Sequence, residues 1–172
     1  TYDALGRVTQ VTNPDGAQAN TAYTGWTQTA TDENGHVKEA VKDAFGQVTE
    51  IRERVNGQQH LTFYAYDPLG NLSRVTNSQG QVTALTYDSL GRKISLSDPQ
   101  MGYWQYEYDA NGNLVKQTDA KGQVIVMAYD GLNRLTAKTY PDGRGLTYAY
   151  DTGANAKGRL TQVMDLAGRH DF

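Results

Sequence analysis

The sequence contains no cysteine, only four prolines and no long hydrophobic run. Without cysteine the chain has no disulfide bonds, thiol nucleophiles or thiolate metal ligands, although this absence says little about its compartment. The longest apolar run, VIVMAY at residues 124–129, is far shorter than a bilayer span and lacks the basic flank of a secretion signal. The sequence therefore predicts neither cysteine chemistry nor a membrane-spanning segment.

The chain also lacks a large excess of charge of either sign. The 16 lysines and arginines and the 19 aspartates and glutamates are spread along the whole chain, and the formal net charge is -3. This balance provides neither the basic patch that binds nucleic acid nor a cationic amphipathic stretch for a membrane surface. A chain with 12 tyrosines and 4 prolines is also not typical of disorder. We expect an extended, tyrosine-rich surface without a nucleic-acid or membrane partner.

What the sequence does contain is a repeat. YAYDPLG at residues 64–70 returns as LTYDSLG, YEYDANG, MAYDGLN and YAYDTGA. The Tyr-Asp pairs, each 21 residues after the previous one, begin at Tyr66, Tyr87, Tyr108, Tyr129 and Tyr150. A fixed period of this length marks an array of stacked supersecondary units. In a stacked sheet the same repeat position lines up from unit to unit, so these five tyrosines are predicted to form one aromatic column.

A second pattern, Asp or Asn followed three residues later by Gly, recurs about every ten residues. The acidic or amide side chain can accept from the backbone two residues on, and Gly accepts the positive φ that follows a type I turn. We therefore predict chain reversals whose structural residues are Asp3 and Gly6, Asp43 and Gly46, Asp67 and Gly70, Asp88 and Gly91, Asp109 and Gly112, and Asp119 and Gly122. All four prolines lie at turn positions: three directly follow an Asp or Asn, and Pro141 precedes Asp142-Gly143, so none interrupts a strand.

Between reversals the segments have six or seven residues and are rich in Val, Thr, Tyr and Leu, which is typical of strands and leaves no room for helices. The strand before each Tyr-Asp pair alternates: Trp104, Tyr106 and Tyr108 share one face, while Glu107 lies on the other. The sequence predicts an all-β protein built from antiparallel β-hairpin repeats. A single hairpin cannot cover its own apolar face, so neighbouring hairpins must stabilise it.

The repeat covers the whole chain but is imperfect at both ends. We count about seven or eight units, most regular over residues 64–153. The first residues already lie inside a unit, and the last residues stop just after a turn. We therefore expect residues 1–172 to be one repeat segment of a larger chain.

Candidate catalytic and metal-binding residues are few. His36, His60 and His170 are isolated, without ligand spacing or a nucleophile motif. Glu107 and Asp109 suggest a glycosidase pair, but the Asp is a turn residue that recurs as Asp88 and Asp130, and the Glu is an occasional variant. The tetrads DENG and DANG resemble the start of a calcium loop but lack its later glutamate. The sequence predicts no catalytic residue, no metal and no cofactor.

The unit YDxLGR, followed by a strand, a turn, a strand and the next YD, resembles the YD repeat of the Rhs (rearrangement hot spot) family. It is written here as TYDALGRVTQVTNPDG and TYDSLGRKISLSDPQMG, and the resemblance extends over almost the whole chain. The resemblance implies a curved, spiralling antiparallel sheet that forms part of a hollow shell or cocoon.

The resemblance also implies a function. In relatives the shell encloses a cytotoxic C-terminal domain, as in Rhs effectors of interbacterial competition delivered by type VI secretion and in insecticidal toxin complexes. For this chain it implies a non-enzymatic wall segment of a bacterial polymorphic toxin. The implied partners are the rest of the shell and an enclosed toxin domain, with secretion-apparatus tip and chaperone proteins as further candidates. The implied location is secreted or cell-surface, in a Gram-negative bacterium, after synthesis in the cytoplasm.

An alternative is a cell-surface binding module. Trp26, Trp104 and the tyrosine column can stack on sugar rings, and teneurins use a related shell for adhesion. A carbohydrate or a receptor would then be the partner. Aromatic residues that repeat in one register are more often packing residues, so we prefer the structural hypothesis.

Overall fold

The computed structural model describes all 172 residues, Thr1–Phe172, and contains strands and turns but no helix. The 16 strands are β1 (Gln10–Thr12), β2 (Gln18–Thr24), β3 (Thr27–Thr31), β4 (Val37–Lys42), β5 (Val48–Val55), β6 (Gln58–Tyr66), β7 (Leu72–Thr76), β8 (Val82–Tyr87), β9 (Lys93–Asp98), β10 (Gly102–Tyr108), β11 (Leu114–Thr118), β12 (Val124–Tyr129), β13 (Leu135–Thr139), β14 (Gly145–Tyr150), β15 (Leu160–Asp165) and β16 (Gly168–Asp171). Strand order follows chain order.

The chain divides into two compact units, Thr1–Ala84 and Leu85–Phe172. Within each unit, consecutive strands pair antiparallel through short turns. This arrangement follows from the turn residues, because a reversal every ten residues leaves each strand only its immediate predecessor and successor as partners. The predicted all-β class, built from antiparallel hairpins, is confirmed.

The two faces of the strands in the second unit differ in side-chain size. Directly opposite residues of an antiparallel pair share a face, so the register assigns each side chain to one side. One face carries large residues, with Trp104 opposite Leu96 and Tyr148 opposite Val163. The other face is small or polar, as in the pairs of Ala128 with Ala137 and of Glu107 with Lys116. The alternation predicted for strands before a Tyr-Asp pair therefore exists in three dimensions.

Neither unit has a conventional core. Leu96 and Ala156 are the only buried hydrophobic residues, Thr161 is the only buried polar one, and no side chain is fully enclosed. Nothing in the chain covers the large-residue face as a second layer would. The strands are therefore held by ladder hydrogen bonds, cross-strand contacts and turns rather than by burial between two layers.

A β-bulge follows the Tyr-Asp turns of Tyr66, Tyr108, Tyr129 and Tyr150. In the pairing of β10 with β11 the register moves from Glu107–Lys116 to Tyr108–Leu114, so Val115 has no opposite residue. The same shift leaves an extra residue after several other turns. These extra residues are Thr49, Ser73, Thr136 and Thr161. A bulge interrupts the ladder locally and frees backbone groups for other partners.

Candidate functional site

The feature that recurs through both units is a structural one, which we call the Tyr-Asp joint: the tyrosine, the aspartate, the turn that follows and the bulge after it. Asp88 illustrates it. Its Oδ1 accepts from the backbone N–H groups of Leu90 and Arg92, both at 3.0 Å. Its backbone carbonyl accepts from Gly91 N at 3.0 Å, which closes a type I turn. One aspartate therefore fixes four consecutive residues.

The structure places the other predicted turn aspartates in the same arrangement. The carboxylate accepts from the N–H groups two and four residues on at Asp3, Asp43, Asp67, Asp109 and Asp119. The fourth turn residue has φ between 75° and 91° at Gly6, Gly46, Gly70, Gly91, Gly112 and Gly122. Asn133 takes this place in the joint of Asp130, with φ of 61°, a conformation that Asn tolerates better than most residues.

These hydrogen bonds stabilise the ionised carboxylate. The pKa of Asp88 is lowered mainly by the backbone N–H of Arg92, and the Arg92 side chain lowers it further. The pKa values of Asp67 and Asp109 are lowered first by the side-chain amides of Asn71 and Asn113. The joints are therefore built for charged aspartates.

Acid is expected to weaken the joints from a defined pH downward. A carboxyl with a lowered pKa contributes stability that is fully present above its unfolded value, about 4, and is lost as the pH falls through the folded value. Stability of the chain should therefore decline below about pH 4, and these carboxyls should contribute no decline between about pH 7 and about pH 5. Urea unfolding followed at each pH by tyrosine fluorescence measures this.

The double variant Asp67→Asn, Asp109→Asn tests the cause. Asn77 shows that the amide fits, because its Oδ1 accepts from Gln79 N and Gln81 N at 3.0 and 2.9 Å. The variant should lose less stability in acid than the wild type, because two titrating groups are gone. If the stability of the variant fell with decreasing pH as steeply as that of the wild type, other carboxyls would control acid unfolding.

An arginine directly after the turn connects successive joints. Arg134 donates through Nε to Asp130 at 2.7 Å and through a terminal nitrogen to Asp151 at 2.8 Å, and its guanidinium carbon lies 4.4 Å from the centre of the Tyr150 ring. Arg92 has the same role toward Tyr108, at 5.0 Å. The arginine thus binds one aspartate, the next joint and the next tyrosine ring together, which combines charge-assisted hydrogen bonds with a cation–π contact.

Four of the five tyrosines predicted to form a column donate hydrogen bonds, a role that their place in an apolar pattern does not indicate. The hydroxyl donates to a backbone carbonyl one strand back, and for Tyr66, Tyr129 and Tyr150 that carbonyl belongs to the residue directly before an extra bulge residue. The pairs are Tyr66 with Val48 at 2.9 Å, Tyr108 with Lys93 at 2.9 Å, Tyr129 with Leu114 at 3.0 Å and Tyr150 with Leu135 at 3.0 Å. Tyr87 lies at the same position at the end of β8. Tyr66, Tyr129 and Tyr150 therefore each supply a donor where a bulge interrupts the ladder of the preceding strand.

The bulge itself has a side-chain partner. The hydroxyls of Thr49, Ser73 and Thr161 donate to the carbonyls of Val41, Ala65 and Ala149 on the preceding strand, at 3.1–3.3 Å. Sequence reasoning missed these residues. The signal was present as a Ser or Thr three residues after the turn glycine, which is visible in GQVT, GNLS and GRLT.

Comparison with known proteins identifies the repeat. A family model described as RHS Repeat matches residues 66–100, 103–124, 108–145 and 129–170, which together make up more than half of the chain. The chain belongs to the RHS repeat family. The Tyr-Asp joints are thus the structural basis of RHS repeats in this chain. A comparison with curated proteins gives no match.

Solved structures share the fold of these RHS repeats. Crystal structures of TcdB2-TccC3-TEV and of TcdB2-TccC3 without its hypervariable C-terminal region each align with a TM-score of 0.81 and 18% identity over 98% of this chain. The Tc holotoxin pore of Photorhabdus luminescens aligns with a TM-score of 0.78 and 18% identity over 94%. The aligned chain spans 10% of each of these proteins. The RHS repeats here are therefore about a tenth of the length of those neighbours.

The residues considered for chemistry are scattered among the repeats. His36 pairs with Asp32 at 2.8 Å within one turn. Glu107 forms an ion pair with Lys116 at 2.7 Å, while the carboxylate of Asp109 holds its own turn. No three His, Cys, Asp or Glu side chains lie close enough to hold a metal ion. The chain also has no helix with the length and hydrophobicity that a membrane crossing requires.

Proposed function

We propose that this chain is a wall segment of an RHS shell that encloses a C-terminal toxin or effector domain of its parent protein. In this proposal residues 1–172 are one stretch of repeats within the larger chain. The function is confinement: the wall separates the enclosed domain from the surrounding solution until release. The observation that carries the proposal is a sheet with regular joints, no enclosed core and membership of the RHS repeat family.

The surface of the chain supports a role within something larger. Its accessible surface is 11664 Å². A globular monomer of this mass is expected to expose about 8,300 Å². The excess is apolar in part, because large side chains at turn tips of the first unit are solvent-exposed. These are Leu5 at 77%, Trp26 at 63%, Phe45 at 90% and Leu69 at 71% exposure.

These four side chains lie at one edge of the first unit. Their turns precede β1 or join β2 to β3, β4 to β5 and β6 to β7, so all four reversals are at the same ends of the strands. Exposed apolar residues in a regular row mark a contact surface. We propose that further repeats of the parent chain cover this row in the complete shell.

The parent protein is proposed to be an exported toxin. Type VI delivery in interbacterial competition by a Gram-negative bacterium is the proposed setting, and the neighbours with Tc toxin components in their titles support the toxin role. Carbohydrate binding is less well supported, because Trp104 donates its indole N–H to Met101 O at 3.0 Å and packs within the sheet face.

Protease protection of the C-terminal domain tests the proposal. In the intact parent protein this domain should be cleaved more slowly, by about tenfold or more, than the same domain expressed alone. A Phe45→Asp, Leu69→Asp variant of the parent protein should lose part of this protection, because charge enters the covered row. Gln79→Asp, at a turn on the opposite edge, is the matched control. Equal cleavage of the enclosed and the free domain would exclude confinement.

A further inference from the structure

The hairpin of β5 and β6 is longer than the others. β6 has nine residues, yet its pairing with β7 begins only at Phe63, opposite Thr76. Residues 58–62 therefore continue beyond the last partner on that side. The corresponding stretches of β10, β12 and β14 cover only residues 102–104, 124–125 and 145–146. The tip of this hairpin protrudes past the following strand.

The turn geometry shows which backbone groups point outward. Asn56 and Gly57 have φ of 52° and 78°, and Val55 is opposite Gln58, which defines a two-residue hairpin of the primed type. Its closing pair is hydrogen-bonded, and hydrogen-bonded pairs then alternate along the ladder. His60 and Thr62 therefore bond to β5, and the N–H and C=O groups of the residues between them point away from it.

Gln59 and Leu61 are the residues whose backbone groups point away from β5. No strand lies on that side, because Asn77 already begins the next turn and donates its N–H to Gln81 O at 3.0 Å. The chain supplies no backbone partner to either residue. Two donors and two acceptors, spaced as in a strand, are therefore open on the β7 side of β6. Natural proteins usually cover or block such an edge.

The side chains around this edge indicate what fits. Residues 54–60 are exposed, and Arg54 is the only charged residue between residues 54 and 62. Arg54 has no ion-pair partner, while its neighbour Glu53 is bound to Lys38 at 2.7 Å. Arg54 lies opposite Gln59 and on the same face. A glutamate on a strand added beside β6 can reach Arg54 across Gln59, because the glutamate and arginine side chains are both long.

We propose that the outer edge of β6 at residues 58–62 accepts an extended segment of a partner protein by strand addition, with a glutamate of that segment facing Arg54. Main-chain hydrogen bonds to Gln59 and Leu61 would supply the affinity, and Arg54 the preference for an acidic segment. The site does not depend on the proposed shell function, since it requires only the protruding hairpin.

Peptide titration of the isotope-labelled 172-residue chain tests the site. The probe is the acetylated and amidated peptide Thr-Val-Glu-Val-Thr, followed by amide chemical shifts. The amides of Gln59 and Leu61 should shift, and their hydrogen exchange should slow by about tenfold at saturation. Absence of binding at millimolar peptide, or shifts located elsewhere, would overturn the proposal.

Proline substitutions check the orientation of the edge. Gln59→Pro removes an outward N–H, so the chain should keep its melting temperature and bind the peptide about tenfold more weakly. His60→Pro is the matched control. It removes an N–H that is bonded to β5, so it should lower the melting temperature of the chain even when no peptide is present. Equal destabilisation by the two prolines would show that Gln59 does not face outward, and unchanged binding to Gln59→Pro would exclude strand addition.

A charge variant tests the predicted contact with glutamate. The Arg54→Gln chain should bind the glutamate peptide only as tightly as it binds the glutamine peptide Thr-Val-Gln-Val-Thr. Its affinity for the glutamine peptide should equal that of the wild type. Equal weakening of both peptides would exclude the Arg54 contact.

Discussion

Replacing Tyr108, Tyr129 and Tyr150 together by phenylalanine is expected to lower the free energy of unfolding by about 3 kcal/mol. Each ring is kept, so the change removes only a hydroxyl that donates to a backbone carbonyl at 2.9–3.0 Å. A partly buried carbonyl that loses its donor costs about 1 kcal/mol. The three sites belong to successive joints and share no acceptor, so their effects should be close to additive.

The second unit offers a matched control for this triple variant. Tyr103, Tyr106 and Tyr148 lie on the same strands, β10 and β14, but their hydroxyls accept or donate no hydrogen bond within the chain. Their replacement by phenylalanine makes the same chemical change and should alter stability by less than about 0.5 kcal/mol each. Urea unfolding measures both variants, and the dependence of the unfolding free energy on urea concentration should be the same as in the wild type. Equal losses in the two triples would show that the joint hydroxyls are not structural.

The hydroxyl bonds give the repeat a physical reason to carry Tyr rather than Phe at this position. The sequence pattern assigned these residues to a large apolar face, and the register agrees with that face. The hydrogen bond was not predictable from the pattern. For Tyr129 the acceptor is the carbonyl of Leu114, 15 residues earlier in the chain, and it lies directly before the bulge at Val115. A bulge changes register by one residue, which sequence periodicity alone does not locate.

The turns were predictable because their chemistry is local. An aspartate that accepts from the N–H groups two and four residues later needs no distant partner, so DSLG indicates the same turn wherever it occurs. The Asn56-Gly57 hairpin carries the strongest short hairpin signal in the sequence, although it lies outside the tetrad pattern. The protruding length of β6 was not predictable, because it depends on where β7 ends beside it.

The arginine links were partly predictable. The letters YDxLGR place an arginine after the turn, and an ion pair with the aspartate four residues before it is a short-range expectation. The second contact, from Arg134 to Asp151, joins residues 17 positions apart. It exists because antiparallel stacking brings the next joint beside the first, and sequence spacing shows this only once the strand order is known.

Gly102→Ala is expected to destabilise the chain by about 2–4 kcal/mol, and the reason lies outside the Tyr-Asp joints. Gly102 has φ of 75°, so any side chain there is strained. A Cβ at this position would also lie 2.5 Å from the Cβ of Ala120, in the turn between β11 and β12. Two neighbouring turns on the edge opposite the joints are thus in direct contact, and the added methyl group must force them apart.

Gly122→Ala separates the two causes. Gly122 has the same φ of 75° and nothing within 4 Å of its would-be Cβ, so only the backbone strain of about 1 kcal/mol applies. The double variant Gly102→Ala, Ala120→Gly should recover most of the additional loss, since it removes the opposing methyl group. Thermal and urea unfolding of the wild type, Gly102→Ala, Ala120→Gly and the double variant completes the cycle, with Gly122→Ala as the separate strain control. If adding Ala120→Gly to Gly102→Ala recovered no stability, the clash between the two methyl groups would not be the cause of the additional loss. The contact would then not set the spacing of the two turns.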